Sequence, residues 1–347
     1  MKSSIKIIIT VQILLFSFIQ ILFAFPNISS TSQNPVIKDN YSEHFKQGEN
    51  FNLQGNYEKS IQSFKKALSL IRNNNNEKNR IESLIKLGIL YWNTGKLDIS
   101  LTFYTEALSS AEKAELIEKK ELVLNFIQIH NLYKAGKDCR KKGKHQESIE
   151  IFKNTIALAK ELKNEEFEVK CLRQLSVTHL ELNDTDKFFS LNKEALKIAR
   201  KLNHKREEGM CLSNIGLYYD GIENYSQALR HYEEALRIAR ILGDLDDESW
   251  CLTNISLIYN GVGNYEKALE YQKKVLTIDK KQLKVEAYVA IDLNNIGITY
   301  QKKALHSGNR EDLFKALPYF KESLKIARKI KDVKTEIQAL TNMGMVH

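Results

Sequence analysis

Asparagines recur along the carboxy-terminal half of the sequence at nearly constant intervals: Asn214, Asn254, Asn295 and Asn342, preceded by Ser213, Thr253, Asn294 and Thr341. A primary amide donates and accepts at once, which suits the N–H and C=O groups of a peptide bond. Asp220, Asn260 and Gln301 follow further along the same segments. Packing alone does not require such a ladder. The amides either meet a bound peptide or bond within the fold and fix the angle between neighbouring units. In the amino-terminal half the equivalent positions hold Lys46, Lys86, Lys134 and Gln174. The surface carrying this row therefore changes from basic to neutral, and its basic end favours an acidic peptide segment.

Other reactive residue types point to packing. Cys171, Cys211 and Cys251 are 40 residues apart, while Cys139 stands outside that register. Equivalent positions on neighbouring packed helices lie about 8–10 Å apart, beyond the roughly 7 Å between α-carbons that a disulfide spans. Small buried thiols are expected, and their spacing matches no zinc motif. The histidines are scattered, and His179 replaces an aromatic core residue. Asp244, Asp246, Asp247 and Glu248 open a helix, where acidic residues complement the dipole. There is no nucleophile elbow, phosphate loop or dinucleotide turn, so no catalysis, cofactor or metal site is expected.

The elements that must position these residues come from a repeat. In the segment 212–240, Leu212, Ile215, Gly216 and Tyr219 form one helical stripe, and Ala228, Tyr232 and Ala235 form a second. Taking the glycine as marker, its equivalents are Gly48, Gly88, Gly136, Ser176, Gly216, Ser256, Gly297 and Gly344, in steps of 40, 48, 40, 40, 40, 41 and 47 residues. A fixed period of this kind signals stacked helix pairs. Gly55, Gly95, Gly143 and Gly263, seven residues after their markers, suit the left-handed turn inside each pair, as does Asn183. Glu223 does not fit, and Gly221 is expected to serve instead. The 48-residue step implies about eight residues added around Ala111–Leu124, and the last step seven near Ala304–Arg310. Pro318 is tolerable in a helix beginning near Leu313–Phe314 and a kink in a longer one.

Ile215, Gly216, Tyr219, Ala228, Tyr232 and Ala235 resemble the tetratricopeptide repeat, as do Gly48, Phe51, Phe64 and Ala67, and Gly88, Tyr91, Tyr104 and Ala107. The long period is similar to that of kinesin light chain and the polarity adaptors. The resemblance covers residues 41–347 and implies an all-α right-handed superhelix of about seven complete pairs, with a shortened last unit. It also implies a non-catalytic interaction module that holds a protein or peptide segment in its concave surface, which the first helices line. Asn214, Asn254 and Asn295 would bond the segment's backbone, helped by Ser213, Thr253, Asn294, Asp220, Asn260 and Gln301. The second reading is the sensing or recruiting half of a longer bacterial signalling protein, such as a kinase, cyclase or caspase-like peptidase. The shortened last unit is expected to continue beyond His347. A scaffold using the convex face is a third reading.

Of the 347 residues, 52 are Lys or Arg and 43 Asp or Glu. That balance is mild, and basic runs such as Arg140–Lys144 alternate with acidic stretches without aromatic platforms, so no nucleic-acid partner is expected. Lys2 and Lys6 precede an apolar run, Ile7–Phe25. Residues 1–30 therefore form a cleaved export signal or a retained membrane anchor. Either leaves the chain after Pro26 outside the cytoplasm. Residues 31–40 read as a linker.

Overall fold

The computed structural model describes residues 35–71 and 76–346. The expected signal or anchor over residues 1–30 and the start of the expected linker lie outside the described residues. Among those described there are fifteen α-helices and no strand. They are α1 (Pro35–Leu53), α2 (Tyr57–Leu70), α3 (Glu77–Asn93), α4 (Leu97–Lys113), α5 (Ile117–Lys141), α6 (His145–Glu161), α7 (Glu165–Glu181) and α8 (Thr185–Lys201). There follow α9 (Lys205–Gly221), α10 (Tyr225–Leu242), α11 (Leu245–Gly261), α12 (Tyr265–Ile278), α13 (Glu286–Ser307), α14 (Arg310–Ile330) and α15 (Val333–Gly344). Odd-numbered helices open each pair and even-numbered ones close it. The result is an all-α repeat superhelix of seven complete pairs and one further helix.

Local chemistry sets the boundaries. Asn56, Asn164, Asp184, Asn224, Asp244 and Asn264 each accept the N–H three residues on, satisfying a donor the first helical turn leaves free. Within each pair the marker is the point of closest approach. A methyl group on Gly88 would lie 2.4 Å from the Tyr104 ring, and one on Gly216 would lie 2.8 Å from Tyr232. Where the marker is Ser176, its aromatic partner is replaced by Asn192, whose Nδ2 donates to Ser176 Oγ (2.9 Å). A polar pair thus substitutes for a small–aromatic one without leaving the amide unpaired.

Some expectations need revising. The first helix starts at Pro35, so Pro35–Asn40 is helical rather than linker; proline at a first helical position lacks only an N–H that would have no partner there. Glu223 itself adopts the left-handed conformation (φ 58°), while Gly221 is the last residue of α9, so the helix-pair geometry overrides side-chain preference. The eight added residues all lengthen α5 to 25 residues, and α4 keeps 17. α14 begins at Arg310, earlier than the tolerable start, which leaves Pro318 inside it on an exposed face. The four cysteines are free thiols, with Cys171, Cys211 and Cys251 buried.

Candidate peptide-binding face

Six residues before each marker, the odd-numbered helices present a side chain on one common face. In α5 and α7 this position holds His130 and Lys170, 0% and 2% exposed. In α11 and α13 it holds Trp250 and Ile291, 40% and 43% exposed. The register is the same, but at this position the face is covered in α5 and α7 and open in α11 and α13.

What covers the first half is the chain itself. Trp92 at the end of α3 lies 4.5 Å from Phe167 of α7, ring to ring, and 5.1 Å from His130 of α5. Lys170 Nζ donates to Glu166 Oε1 (3.0 Å) and to Asn93, joining helices two units apart. Burial would raise the Glu166 carboxyl, but Lys170 and His204 outweigh it and hold it far below the usual range. Arg173 Nε similarly donates to Glu207 (2.8 Å). The turn between α1 and α2, in the first pair of the stack, reaches distant units: Gly55 abuts Leu242 at the end of α10, and buried Tyr57 sits in the field of Glu166, Glu207, Arg206 and Asp244. Lys86 and Lys134, expected to make a basic groove, are paired with Glu49 (3.0 Å) and Asp98 (2.8 Å).

In the second half the face holds a cavity of about 410 Å³ between α11 and α13. Trp250, Thr253 and Asn254 line it from α11, and Tyr288, Ile291, Asp292 and Asn295 from α13. Its remaining wall is a π-helical turn, Asp279–Leu283, at the end of α12. A smaller recess beside it is lined by Met210, Ser213 and Asn214 of α9 and by Trp250.

Of the nine residues singled out by sequence, five line these spaces: Asn254, Asn295 and Thr253 the larger, Asn214 and Ser213 the smaller. Their availability differs. Asn214 Nδ2 donates to Asn192 Oδ1 (2.9 Å), so it belongs to a network inside the stack. Asn254 Nδ2 donates to the Trp250 carbonyl one turn back (2.8 Å), within its own helix, and the residue lines the cavity. Ser213 meets Cys251 Sγ at 3.5 Å and Thr253 donates to the Ser249 carbonyl (2.9 Å). The other four are held in the stack. Asn260 donates to Thr299 (2.8 Å), Asn294 accepts from Asn342 (3.0 Å), Gln301 is buried, and Asp220 is half-buried with its carboxyl pushed up by that burial.

Sequence reading missed the acidic floor. Ser249 Oγ donates to Asp279 Oδ1 (2.8 Å), and the Asp279 and Asp292 carboxyls are near enough for each to shift the other's titration. Burial, and then Asp279, push the Asp292 carboxyl up to about 8. Burial and Asp244 raise Asp247 to about 6. The face is therefore acidic where a neutral one was expected. No group of three or more His, Cys, Asp or Glu among the described residues is placed to hold a metal ion.

The sequence model of the tetratricopeptide repeat matches residues 43–113, 189–241 and 212–281. No curated protein matches the chain. Among solved structures, the fold is similar to that of BtubC (BKLC) from P. vanneervenii, at 15% identity and a TM-score of 0.54, over 68% of this chain and 92% of that one. It is similar to the Rap conjugation gene regulator of plasmid pLS20, solved in complex with the Phr* peptide, at 15% identity and a TM-score of 0.51, over 91% and 82%. The nearly identical TPR-like repeats of a kinesin light chain-like protein from Podosopora anserina align at 15% identity and a TM-score of 0.48, over 58% and 96%.

Proposed function

Because this chain is a tetratricopeptide repeat protein, and so a protein-interaction module, we propose that it binds an extended peptide or protein segment along the face of α9, α11 and α13, outside the cytoplasm. One observation carries the reading. Half-exposed Trp250, Tyr288 and Ile291 stand beside Asn254 and Asn295 around a cavity large enough for side chains, on the face that the same fold covers elsewhere. Apolar rings supply contact area and desolvation, and the amides bond the backbone. That the Rap regulator was solved with a peptide is consistent with this use of the fold. The binding step involves no covalent chemistry.

The extracytoplasmic location is supported by Lys2 and Lys6 ahead of the apolar run Ile7–Phe25. None of the described helices is long and apolar enough to cross a membrane, and that run lies outside them. Selecting binders to the full chain from a displayed random-peptide library, then measuring the Asn254→Ala/Asn295→Ala double variant, tests the reading. At least a tenfold loss of affinity is expected. Undiminished binding would remove the amides from the site.

A further inference from the structure

Three successive junctions between units place an alanine of the closing helix and a cysteine of the next opening helix at the same two buried register positions: Ala159 and Cys171, Ala199 and Cys211, Ala239 and Cys251. At the fourth junction the same two positions hold Asp279 and Asp292. Stacking alone would keep the small apolar pair, since burying a carboxyl without a partner costs several kcal/mol. The same junction contains the single 41-residue step, and its extra residue coincides with the π-helical turn that begins at Asp279. Such turns are found preferentially where function requires a local change of backbone.

A second, independent observation points to a ligand. Asp292 is 7% exposed and lines the cavity, yet its Oδ2 has no donor among the described residues. The charged groups around it are Asp279 on the turn and Asp246 and Asp247 on α11, with Arg206 and Arg173 beyond Asp247. Lys280 is turned to Glu322 (3.2 Å). The missing partner is a cation that donates hydrogen bonds. A bare divalent ion fits poorly, since it takes six or more oxygen ligands and no suitable cluster is present among the described residues. The cavity walls instead include the rings of Trp250 and Tyr288, which suit an organic cation with an apolar stem.

We infer that this cavity receives the guanidinium or ammonium group of an arginine or lysine side chain carried by the peptide that lies along α11 and α13; the inference rests on the peptide-binding reading above. The cation bridges Asp279 and Asp292 while its stem packs between Trp250 and Tyr288. The proton that Asp292 retains near neutral pH leaves to solvent as the cation enters, because the pair is then stabilised with both groups ionised.

The test uses the full chain and two pools of random heptapeptides, identical except for a fixed central arginine or its neutral isostere citrulline. The arginine pool is expected to bind at least tenfold better at pH 7, with about one proton released per peptide when heats are compared in two buffers. Asp292→Asn and Asp279→Asn, both isosteric and each leaving the stack intact, should erase the preference and the proton release. Equal binding of the two pools, or a preference that survives both variants, overturns the cation site and leaves the peptide reading standing. Binding of neither pool overturns both. Argininamide binding as tightly as the arginine pool overturns the peptide as the source of the cation.

Discussion

The two halves of the superhelix present the same face in the same register and use it in opposite ways. Between α3 and α9 the face is closed by aromatic contacts across units, by the Lys170–Glu166 and Arg173–Glu207 pairs, and by the α1–α2 turn. Between α9 and α13 it carries exposed apolar side chains, asparagines and a carboxyl pair that lacks a cation. Buried charges in the first half have partners, so removing one partner should destabilise the fold. Asp292, buried in the second half, has no such partner for its Oδ2 among the described residues, so removing its charge should stabilise the fold. The difference separates residues that hold the stack together from residues at which ligand binding is proposed.

The largest effects are expected in the closed half. Trp92→Ala should cost about 3–5 kcal/mol, as for large-to-small changes in other cores, and Glu166→Gln should cost a similar amount at neutral pH by stranding Lys170. Trp250→Ala should cost about 1 kcal/mol or less. Urea titrations of the three variants would reveal the asymmetry, and equal losses for Trp92 and Trp250 would erase it.

Asp292→Asn should act in the opposite direction. Burial and Asp279 push its carboxyl up to about 8, from an ordinary value of 3.8, so the folded state binds the extra proton and loses stability as pH rises from about 4 to about 8. At roughly 1.4 kcal/mol per pH unit in the limit, the variant should be roughly 2–4 kcal/mol more stable at pH 8 and little changed at pH 4. Thermal midpoints at the two pH values check this.

His130 gives the closed half its own pH signature. Burial lowers the ring to about 4, so its contribution is intact above its ordinary value of 6.5 and is lost as pH falls toward 4. His130→Phe should flatten this part of the stability profile by roughly 2–3 kcal/mol.

The smallest contrast lies among the asparagines. Asn192→Ala, which breaks the bonds to Ser176 and Asn214, should cost about 1–2 kcal/mol. Asn254→Ala, which loses one bond to its own helix, should change stability by about 0.5 kcal/mol or less. Denaturation midpoints of this pair separate stack-fixing amides from available ones.

The repeat was legible because close helix approach forces a small residue against a ring at fixed spacing, as at Gly88 with Tyr104 and Gly216 with Tyr232. The turn glycines were legible for a comparable reason. At Glu223 the backbone imposed the left-handed conformation without help from the side chain, and sequence reading went astray. The closed half was not legible, because contacts such as Lys170 with Asn93 depend on how far the superhelix turns over two units, which no local pattern encodes. The acidic floor had a signal that went unread. Asp279 stands among alanines and Asp292 comes next in the column of Cys171, Cys211 and Cys251, at the one step of 41 residues.

The proposed function requires that ligands meet the chain only on its open half. The direct measurement is site-specific photo-crosslinking of library-selected peptides, with the photoreactive residue placed in turn at Met210, Ile291, Tyr288, Lys86 and Lys134. Adducts are expected from the first three positions and none from the last two. Equal crosslinking from Lys86 and Lys134 would show that the amino-terminal face opens to ligand, and the division of the superhelix into a closed and a receptive half would be wrong.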